Sequence, residues 1–297
     1  MGTAIGVRRP GRLFVAALVA LAAALPARAQ QPSVPYVPTP QEVVDRMLAM
    51  GKVGKNDYLI DLGSGDGRIV VTAAKRFGTR GFGVDLNPAR IEESVANAKA
   101  AGVTDLVAFY QRDLFETDLS SATVITMYLL PRVNMELRPR LLNLRPGTRI
   151  VSHDFDMDDW RPDERAELDV KDKWGAGSSG KSSVYLWIVP APVAGTWKFS
   201  LPAGARTNEY ELTLEQRFQN VAGTVRVAGR TAKVTAAKLN GAGIALDFTV
   251  DLGAGPVRHQ LTGRADANAI AGRAKLSGTR IESEADWSAV RPPVEAR

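Results

Sequence analysis

The chain has 297 residues, of which 45% are apolar and 24% charged, and this composition is typical of a globular protein with one or two domains. It has no cysteine and only two histidines, His153 and His259, which excludes a disulfide scaffold, a thiol nucleophile and a cysteine- or histidine-rich metal site. Four arginines lie in the first 29 residues, and without them the net charge of +6 falls to +2. The high isoelectric point is therefore no evidence for nucleic-acid binding, and we expect no nucleic-acid partner.

The N-terminus has the pattern of a secretory signal peptide. Arg8, Arg9 and Arg12 precede an uncharged apolar run over 13–25, and small residues follow in the sequence Ala27-Arg28-Ala29. The run is shorter than the roughly 20 residues that span a bilayer. We expect a signal peptide over residues 1–29 and an exported, periplasmic mature protein without a stable transmembrane segment. The alternative is an uncleaved N-terminal membrane anchor.

A first helix is predicted after a proline-rich, extended stretch over residues 30–39. Thr39 can act as the N-cap, Pro40 suits the first helical position, and Glu42 stands three residues after Thr39, as a capping box requires. The apolar residues recur at helical spacing and define one buried face: Val43, Val44, Met47 and Leu48.

From residue 58 to residue 153, predicted strands alternate with predicted helices. The strands are Tyr58–Leu62, Gly81–Asp85, Leu106–Tyr110, Ala122–Leu130 and Arg149–His153. The helices comprise an apolar face from Ile69 to Phe77 that ends at Gly78, a segment from Asn87 to Gly102 with Ile91 and Val95 inward, and Val133–Leu142. A further apolar strand, Val184–Val189, is placed to close the sheet as an antiparallel hairpin. This alternation predicts a doubly wound, mostly parallel α/β sheet.

The pattern changes at the proline-rich sequence of residues 190–195. Short alternating segments follow at intervals of about ten residues, which predicts an antiparallel meander, either a small barrel or a sandwich. The segments are Trp197–Leu201, Tyr210–Phe218, Val221–Val227, Ala232–Leu239, Ile244–Val250, Val257–Leu261 and Ile270–Leu276. We therefore predict an α/β domain over 30–193 and a β-rich accessory domain over 194–297. No catalytic group is evident in the meander, and His259 is interpreted as an ordinary surface or pocket residue.

Three glycines follow the first predicted strand. Gly63, Gly65 and Gly67 lie between a strand and a helix, where they let a ligand approach the backbone and the N–H groups of the helix start. Their spacing is G-x-G-x-G, whereas a dinucleotide-binding turn has G-x-G-x-x-G. In addition, Asp61 stands two residues before the first glycine, where it favours a cationic ligand group and would repel a pyrophosphate.

Three acidic residues stand at the ends of successive predicted strands. Asp61 ends the first, Asp85 ends the second, and Asp113 follows the third. Strand ends in an open α/β sheet face one crevice, so these side chains converge on one ligand. S-adenosylmethionine fits such a set because it has an ammonium, a sulfonium, ribose hydroxyls and an adenine amino group, and no phosphate. The sequence therefore predicts S-adenosylmethionine as the cofactor.

The same motifs resemble those of class I S-adenosylmethionine-dependent methyltransferases. The family of the mitochondrial ATP-synthase c-subunit lysine methyltransferase is the narrower match, through Tyr36–Pro40, Asp61–Ile69 and the sequence Tyr128-Leu-Leu-Pro131. The resemblance covers roughly residues 35–160 and implies a Rossmann-like sheet. It implies methyl transfer to an amine, by analogy a protein lysine. The N-terminal 29 residues and the β-rich segment have no counterpart in the family.

The resemblance also implies roles for individual residues. Tyr36 and Thr39 would lie over the cofactor as a lid, Asp61 and the glycines would hold its methionine part, Asp85 its ribose and Asp113 its adenine. The complete set of expected cofactor-binding residues is Tyr36, Thr39, Asp61, Gly63, Ser64, Gly65, Asp66, Gly67, Asp85, Leu86 and Asp113.

The candidate catalytic residues are Tyr128, Pro131 and His153. Tyr128 to Pro131 would shape the opening where the methyl group is presented. His153, with Asp154 and Asp156 after it, could line the same opening as a base, although a turn with capping acids also explains this segment. No metal site is predicted. Two other functions are weighed as alternatives: an exported binding protein that uses its β domain, and an NAD-dependent oxidoreductase.

Overall fold

The computed structural model describes residues 36–171, 173, 177–203, 206–253, 255–266 and 268–291. The predicted signal peptide and most of the proline-rich stretch after it lie outside these residues, so both stay predictions. Within the described ranges, the model contains no helix with the length and apolarity needed to cross a bilayer.

The first part of the described chain forms a seven-stranded sheet in the order β3-β2-β1-β4-β5-β7-β6. Its strands are β1 Tyr58–Leu62, β2 Arg80–Asp85, β3 Val107–Gln111, β4 Val124–Met127, β5 Arg149–His153, β6 Glu164–Lys171 and β7 Ser179–Ile188. Strands β1 to β5 are parallel, and β7 pairs antiparallel with both β5 and β6. The helices are α1 Gln41–Met50, α2 Arg68–Phe77, α3 Pro88–Ala101 and α4 Pro131–Leu142. The predicted doubly wound α/β fold is confirmed.

Local sequence signals set the bounds of two helices. Helix α2 follows Gly67 and ends at Gly78, and both glycines have the left-handed conformation that side chains disfavour. Helix α3 begins where the Asn87 side chain accepts a hydrogen bond of 3.0 Å from the Ala89 N–H, and it ends at Gly102. These starts and stops agree with the predicted ones.

The predicted capping box at the start of α1 is wrong. Pro40 is the N-cap, and its position has no side-chain cap. The Thr39 hydroxyl is buried instead, 3.3 Å from His153 Nδ1, and Glu42 accepts a hydrogen bond from the Lys171 N–H. Both side chains therefore bind residues far away in sequence and do not form the local cap. The predicted apolar face of α1 is buried as expected.

Two details of the predicted elements also differ. Strand β4 ends at Met127, three residues early, because Leu130 becomes the N-cap of α4 and Pro131 its first residue. Val95 is 49% exposed rather than inward. Ser94 faces the sheet in its place, because the backbone of Gly67 approaches so closely that a Cβ there would lie 2.7 Å from the Ser94 Cβ.

The second part of the chain is a closed, eight-stranded antiparallel barrel, so the meander is a barrel and not a sandwich. Its strands are β8 Gly195–Ala203, β9 Arg206–Arg217, β10 Asn220–Val227, β11 Arg230–Asn240, β12 Gly243–Asp251, β13 Pro256–Ala265, β14 Ala269–Gly278 and β15 Ile281–Val290. Buried and exposed residues alternate along the strands, and a dense apolar core fills the interior. His259 belongs to that interior and has no exposed surface, so of the two predicted placements, surface or pocket, the surface one does not hold.

Aromatic residues join the barrel to the sheet. Trp160 is fully buried and stacks on Phe218 at the end of β9, with 5.9 Å between ring centroids. Its Nε1 donates to Gln219 Oε1 at 3.1 Å, while its carbonyl accepts from Trp187 Nε1 at 2.7 Å. Trp160 is therefore a packing residue at the contact between barrel and sheet.

Candidate functional site

Asp61 lies at the carboxyl end of β1 and is almost fully buried. Its Oδ1 accepts a hydrogen bond of 2.7 Å from Thr126 on the neighbouring strand β4. Burial raises the pKa of Asp61 to about 7; the Thr126 hydrogen bond opposes this rise, and the charges of Asp66 and Asp85 add to it. Three carboxylates thus act on one another at this edge, which makes it a favourable place for a cation.

The glycine turn directly follows β1 and carries a buried polar side chain. Gly63, Gly65 and Gly67 all have positive φ, at 75°, 52° and 75°. The neighbouring Ser64 is buried, and its hydroxyl has no hydrogen-bond partner among the described residues. A buried hydroxyl of this kind is normally satisfied, so its isolation in a glycine turn indicates that a polar ligand group completes the site.

Tyr36 lies directly over the glycine turn. A Cβ on Gly65 would come within 2.4 Å of the Tyr36 ring, and the Arg90 guanidinium lies 4.5 Å from the centroid of that ring. Tyr36 is 43% exposed, so one side of the ring faces solvent. This placement agrees with the predicted lid, and contact with the cofactor stays a prediction.

Asp66 has a partner inside the turn. Its carboxylate accepts three hydrogen bonds from the Arg68 guanidinium and one from the Arg68 N–H, and Arg68 Nη1 donates to the Thr39 carbonyl at 2.9 Å. Burial raises the pKa of Asp66, but the hydrogen bonds and charge of Arg68 outweigh it and leave that pKa lowered. Asp66 thereby ties the segment that carries Tyr36 and Thr39 to the turn, and direct cofactor binding by Asp66 and Thr39 is not tested.

Asp85 and Asp113 occupy the expected strand ends. Asp85 Oδ2 accepts from the Gly65 N–H at 3.0 Å, which fixes the end of β2 against the glycine turn. Leu86 follows it with 60% of its surface exposed, and its predicted contact with the cofactor stays a prediction. Asp113 lies just past β3, where its Oδ1 accepts from the Phe115 N–H at 2.8 Å.

These observations fit S-adenosylmethionine. The acidic edge suits its ammonium and sulfonium, the unsatisfied Ser64 hydroxyl suits its amino-acid part, and the Asp85 carboxylate suits its ribose hydroxyls. No cluster of metal-binding side chains occurs in the parts of the chain that the structure describes.

A second group of polar residues lies at the ends of β4 and β5, one strand further from Asp61. The Tyr128 hydroxyl is 3.4 Å from Asp154 Oδ2, and the Tyr128 ring lies 3.9 Å from the ring centroid of His153. Asp154 Oδ2 forms an ion pair of 2.8 Å with Lys173 Nζ. We call Tyr128, His153, Asp154 and Lys173 the tyrosine cluster.

His153 lies beneath the Tyr128 ring and not at an opening. It has no exposed surface; its Nε2 is 3.0 Å from Ser182 Oγ, and its Nδ1 is 3.3 Å from Thr39 Oγ1. Burial lowers the pKa of His153 to about 4, which the Asp154 charge opposes and the Lys173 charge favours. A neutral imidazole with both nitrogens engaged is suited to holding Tyr128 in place.

The remaining candidates divide between the site and its surroundings. Pro131 is exposed at the first position of α4, and Asp156 closes a turn by accepting from the Asp158 N–H, which agrees with the interpretation of capping acids.

The sequence reasoning missed Thr126 and Lys173. A lone polar residue in the apolar strand β4 is a signal for Thr126, but no local pattern marks Lys173, which the β6–β7 hairpin brings to the cluster.

Comparison with known proteins identifies the family. Residues 61–164 match the model described as the ANTKMT methyltransferase domain. A protein-lysine N-methyltransferase of Saccharolobus islandicus is 46% identical over 160 residues, which are 53% of this chain and 95% of that protein. The chain belongs to the ANTKMT methyltransferase family. It is an S-adenosylmethionine-dependent methyltransferase, and the predicted enzyme class, cofactor and family resemblance are confirmed.

Further members of the family and a solved structure share the same segment. The ATP synthase c-subunit lysine N-methyltransferase of Mus musculus is 30% identical over 148 residues, 50% of this chain and 59% of that protein. The crystal structure of an RNA methyltransferase from Salinibacter ruber with S-adenosyl-L-homocysteine has 51% identity, a TM-score of 0.48, and coverage of 53% of this chain and 96% of that one. None of these relatives supports the alternative functions of binding protein or oxidoreductase. The barrel lies outside the residues that match the ANTKMT domain.

Proposed function

We propose that this ANTKMT-family methyltransferase transfers the methyl group of S-adenosylmethionine to the side-chain amine of a protein lysine. The observation that carries the proposal is the placement of Tyr128 and Asp154 beside each other at the ends of β4 and β5, next to the strand that carries Asp61. The names of the Saccharolobus and mouse relatives, which are lysine methyltransferases, support it.

When bound, S-adenosylmethionine supplies an activated methyl group on a sulfonium, so the protein has mainly to orient the two reactants. Orientation of this kind can lower a barrier by about 7–11 kcal/mol. Asp61 would hold the cationic end of the cofactor from a buried position, where a charge interacts more strongly than in water. Thr126 links Asp61 to β4, the strand that leads directly to Tyr128.

An acceptor lysine must enter as an ammonium and react as a neutral amine. The Tyr128 ring offers a face for the cation, and the Asp154 carboxylate offers an acceptor for its proton. The side chain of Asp154 is 14% exposed, so both forms of the amine would be partly desolvated there. His153 holds the Tyr128 ring from below, as a positioning residue.

Labelled S-adenosylmethionine and fractionated envelope proteins test the proposal. We expect methyl groups on lysine side chains of a protein acceptor, identified by mass spectrometry. Asp154→Asn should lower kcat by about 10²-fold or more, since it removes the proton acceptor. Asp156→Asn, an exposed acid two residues away, is the matched control and should leave kcat unchanged.

Two results would contradict the proposal. One is methyl transfer to RNA, offered in the same assay, with no label on protein. The other is equal loss of activity in Asp154→Asn and Asp156→Asn, which would mean that the turn matters only for folding. Cofactor binding measured by calorimetry on each variant separates loss of chemistry from loss of the binding site.

We also propose that the mature enzyme is exported, on the basis of the basic, apolar and small-residue pattern over residues 1–29. The test is N-terminal sequencing of the protein recovered from cell fractions. The expected result is a chain that begins at Gln30 in the periplasmic fraction. A full-length chain in the membrane fraction would favour the uncleaved anchor instead.

A further inference from the structure

The amine of Lys173 is buried in the same cluster that we propose receives an acceptor lysine. Lys173 is only 7% exposed, and its Nζ lies 2.8 Å from Asp154 Oδ2. The same ammonium donates to the Lys181 carbonyl across the hairpin. A charged lysine is rarely buried to this degree unless it has a partner, and here the partner is a carboxylate assigned to the acceptor.

Side-chain contacts and the end of β4 lie between this amine and Asp61. Thr126 of β4 lies opposite Asp61 of β1 and donates to its carboxylate. Tyr128 comes two residues later, just past the end of β4. Its hydroxyl is 3.4 Å from the oxygen of Asp154 that Lys173 contacts. The Lys173 amine therefore stands where an incoming lysine would meet Tyr128 and Asp154.

We propose that Lys173 is itself a methyl acceptor, modified by the enzyme's own active site within one molecule. The inference rests on the proposed lysine-methylating function. In the reaction, the Nζ proton passes to the Asp154 carboxylate and then to solvent. The lone pair of Nζ forms a bond to the methyl carbon as the carbon–sulfur bond breaks, which leaves S-adenosylhomocysteine and N-methyl-lysine. No oxidant or further reactant is needed.

Neighbouring lysines of the hairpin provide matched controls. Lys171 ends β6 and Lys181 lies in β7, and both are exposed. A modification that depended only on chemical reactivity or on contact between molecules would reach these exposed amines first. A reaction inside the site would select the buried Lys173.

The experiment incubates the purified full-length protein with S-adenosylmethionine and no other acceptor, followed by intact-mass measurement and peptide mapping. We expect a gain of methyl mass that maps to Lys173, with a first-order rate that does not change with protein concentration. Lys173→Arg, which keeps the positive charge beside Asp154, should remove at least nine-tenths of the label. Lys171→Arg and Lys181→Arg should keep it.

Three results would overturn the inference. The first is a label on Lys171 or Lys181 whose rate rises with protein concentration. The second is unchanged labelling of Lys173→Arg. The third is an unmodified Lys173 in a preparation that methylates an added lysine peptide; that result leaves the proposed function intact. If the protein binds S-adenosylmethionine and methylates neither the peptide nor Lys173, the proposed function itself fails.

Discussion

Asp61 is a carboxylate kept in an unfavourable environment in the cofactor-free protein. Burial raises its pKa from 3.8 to about 7, so the folded protein holds this proton more tightly than the unfolded chain. The contribution of Asp61 to stability therefore falls as pH rises from about 4 to about 7, because the folded state must give up a proton that it binds well. Such a charge is retained at the expense of stability when a ligand needs it.

Binding of the cationic cofactor should lower the pKa of Asp61 and release a proton. At pH 7 a carboxyl group with a pKa of about 7 carries about half a proton, so the release approaches half a proton. Calorimetry in buffers of different ionisation enthalpy measures it directly. An Asp61→Asn variant should release none, bind the cofactor at least tenfold more weakly, and have a higher free energy of unfolding above pH 7.

Asp105→Asn, a change at an exposed turn, is the control. It should leave the proton release, the cofactor affinity and the free energy of unfolding unchanged. Unchanged cofactor affinity in Asp61→Asn would remove Asp61 from the binding site. A proton release that persists in that variant would place the titrating group elsewhere.

Both histidines should remain neutral well below their usual pKa. Burial lowers the pKa of His153 and of His259 to about 4; the Asp154 charge partly opposes this at His153, and a hydrogen bond to the Val257 carbonyl does so at His259. The unfolded chain binds these protons near pH 6.5, so the contribution of the two histidines to stability should be lost as pH falls from about 6.5 towards 4.

Because the chain has only these two histidines, NMR can follow each imidazole through an acid titration. Neither resonance should shift between pH 7 and 5 in the folded protein. A midpoint near 6.5 for either one would mean that its ring is solvated. His259→Asn should reduce the loss of stability over the same pH range, measured by chemical denaturation.

At the scale of the element, two features make a position require glycine: a backbone with positive φ and a lack of space for a side chain. Gly67 precedes α2 and Gly102 follows α3. Both glycines have φ near 70°, but their surroundings differ. A Cβ at Gly67 would lie 2.6 Å from the Phe109 ring, whereas one at Gly102 meets nothing within 4 Å. Their comparison separates backbone strain from overpacking.

Gly102→Ala should lower the free energy of unfolding by about 1 kcal/mol, from backbone strain alone. Gly67→Ala should lower it by about 2–4 kcal/mol, because overpacking adds about 1–3 kcal/mol. Denaturant titration of both variants provides the measurement. Equal losses would mean that Phe109 and Ser94 move aside at little cost.

Some elements were readable from sequence because their signals are local. Asn87 and Gly102 bound α3 through chemistry within a few residues, and the sequence predicts both. Strands β6 and β15 were missed. Strand β6 is a charged edge strand, and β15 turns small residues such as Ser283 and Ala285 inward, so neither shows strong alternation of large apolar residues.

At the scale of the whole molecule, we expect the contact between barrel and sheet to be stabilised more by the buried aromatic side chain of Trp160 than by its exposed ion pairs. Trp160 is fully buried between Trp187 and Phe218. The nearby pair of Arg217 with Asp159, at 2.5 Å, is solvent-exposed, with Arg217 74% accessible. Exposed ion pairs contribute little to stability, whereas truncation of a buried tryptophan removes a large packed volume.

Trp160→Ala should lower the free energy of unfolding by about 3–5 kcal/mol. Arg217→Ala should change it by less than about 1 kcal/mol. Thermal and denaturant unfolding of the full chain check both values. A small effect of Trp160→Ala would show that the two parts are stabilised independently of this contact.

The sequence by itself determined the α/β order, the glycine turn, the three acidic strand ends and the family, because each depends on residues close together in the chain or on a shared strand edge. Tertiary structure alone decided that Thr39 meets His153 and that Lys173 meets Asp154. It also decided that the meander closes as a barrel with His259 inside. These outcomes depend on hairpin pairing and on contacts between residues far apart in sequence, for which a local pattern contains no signal.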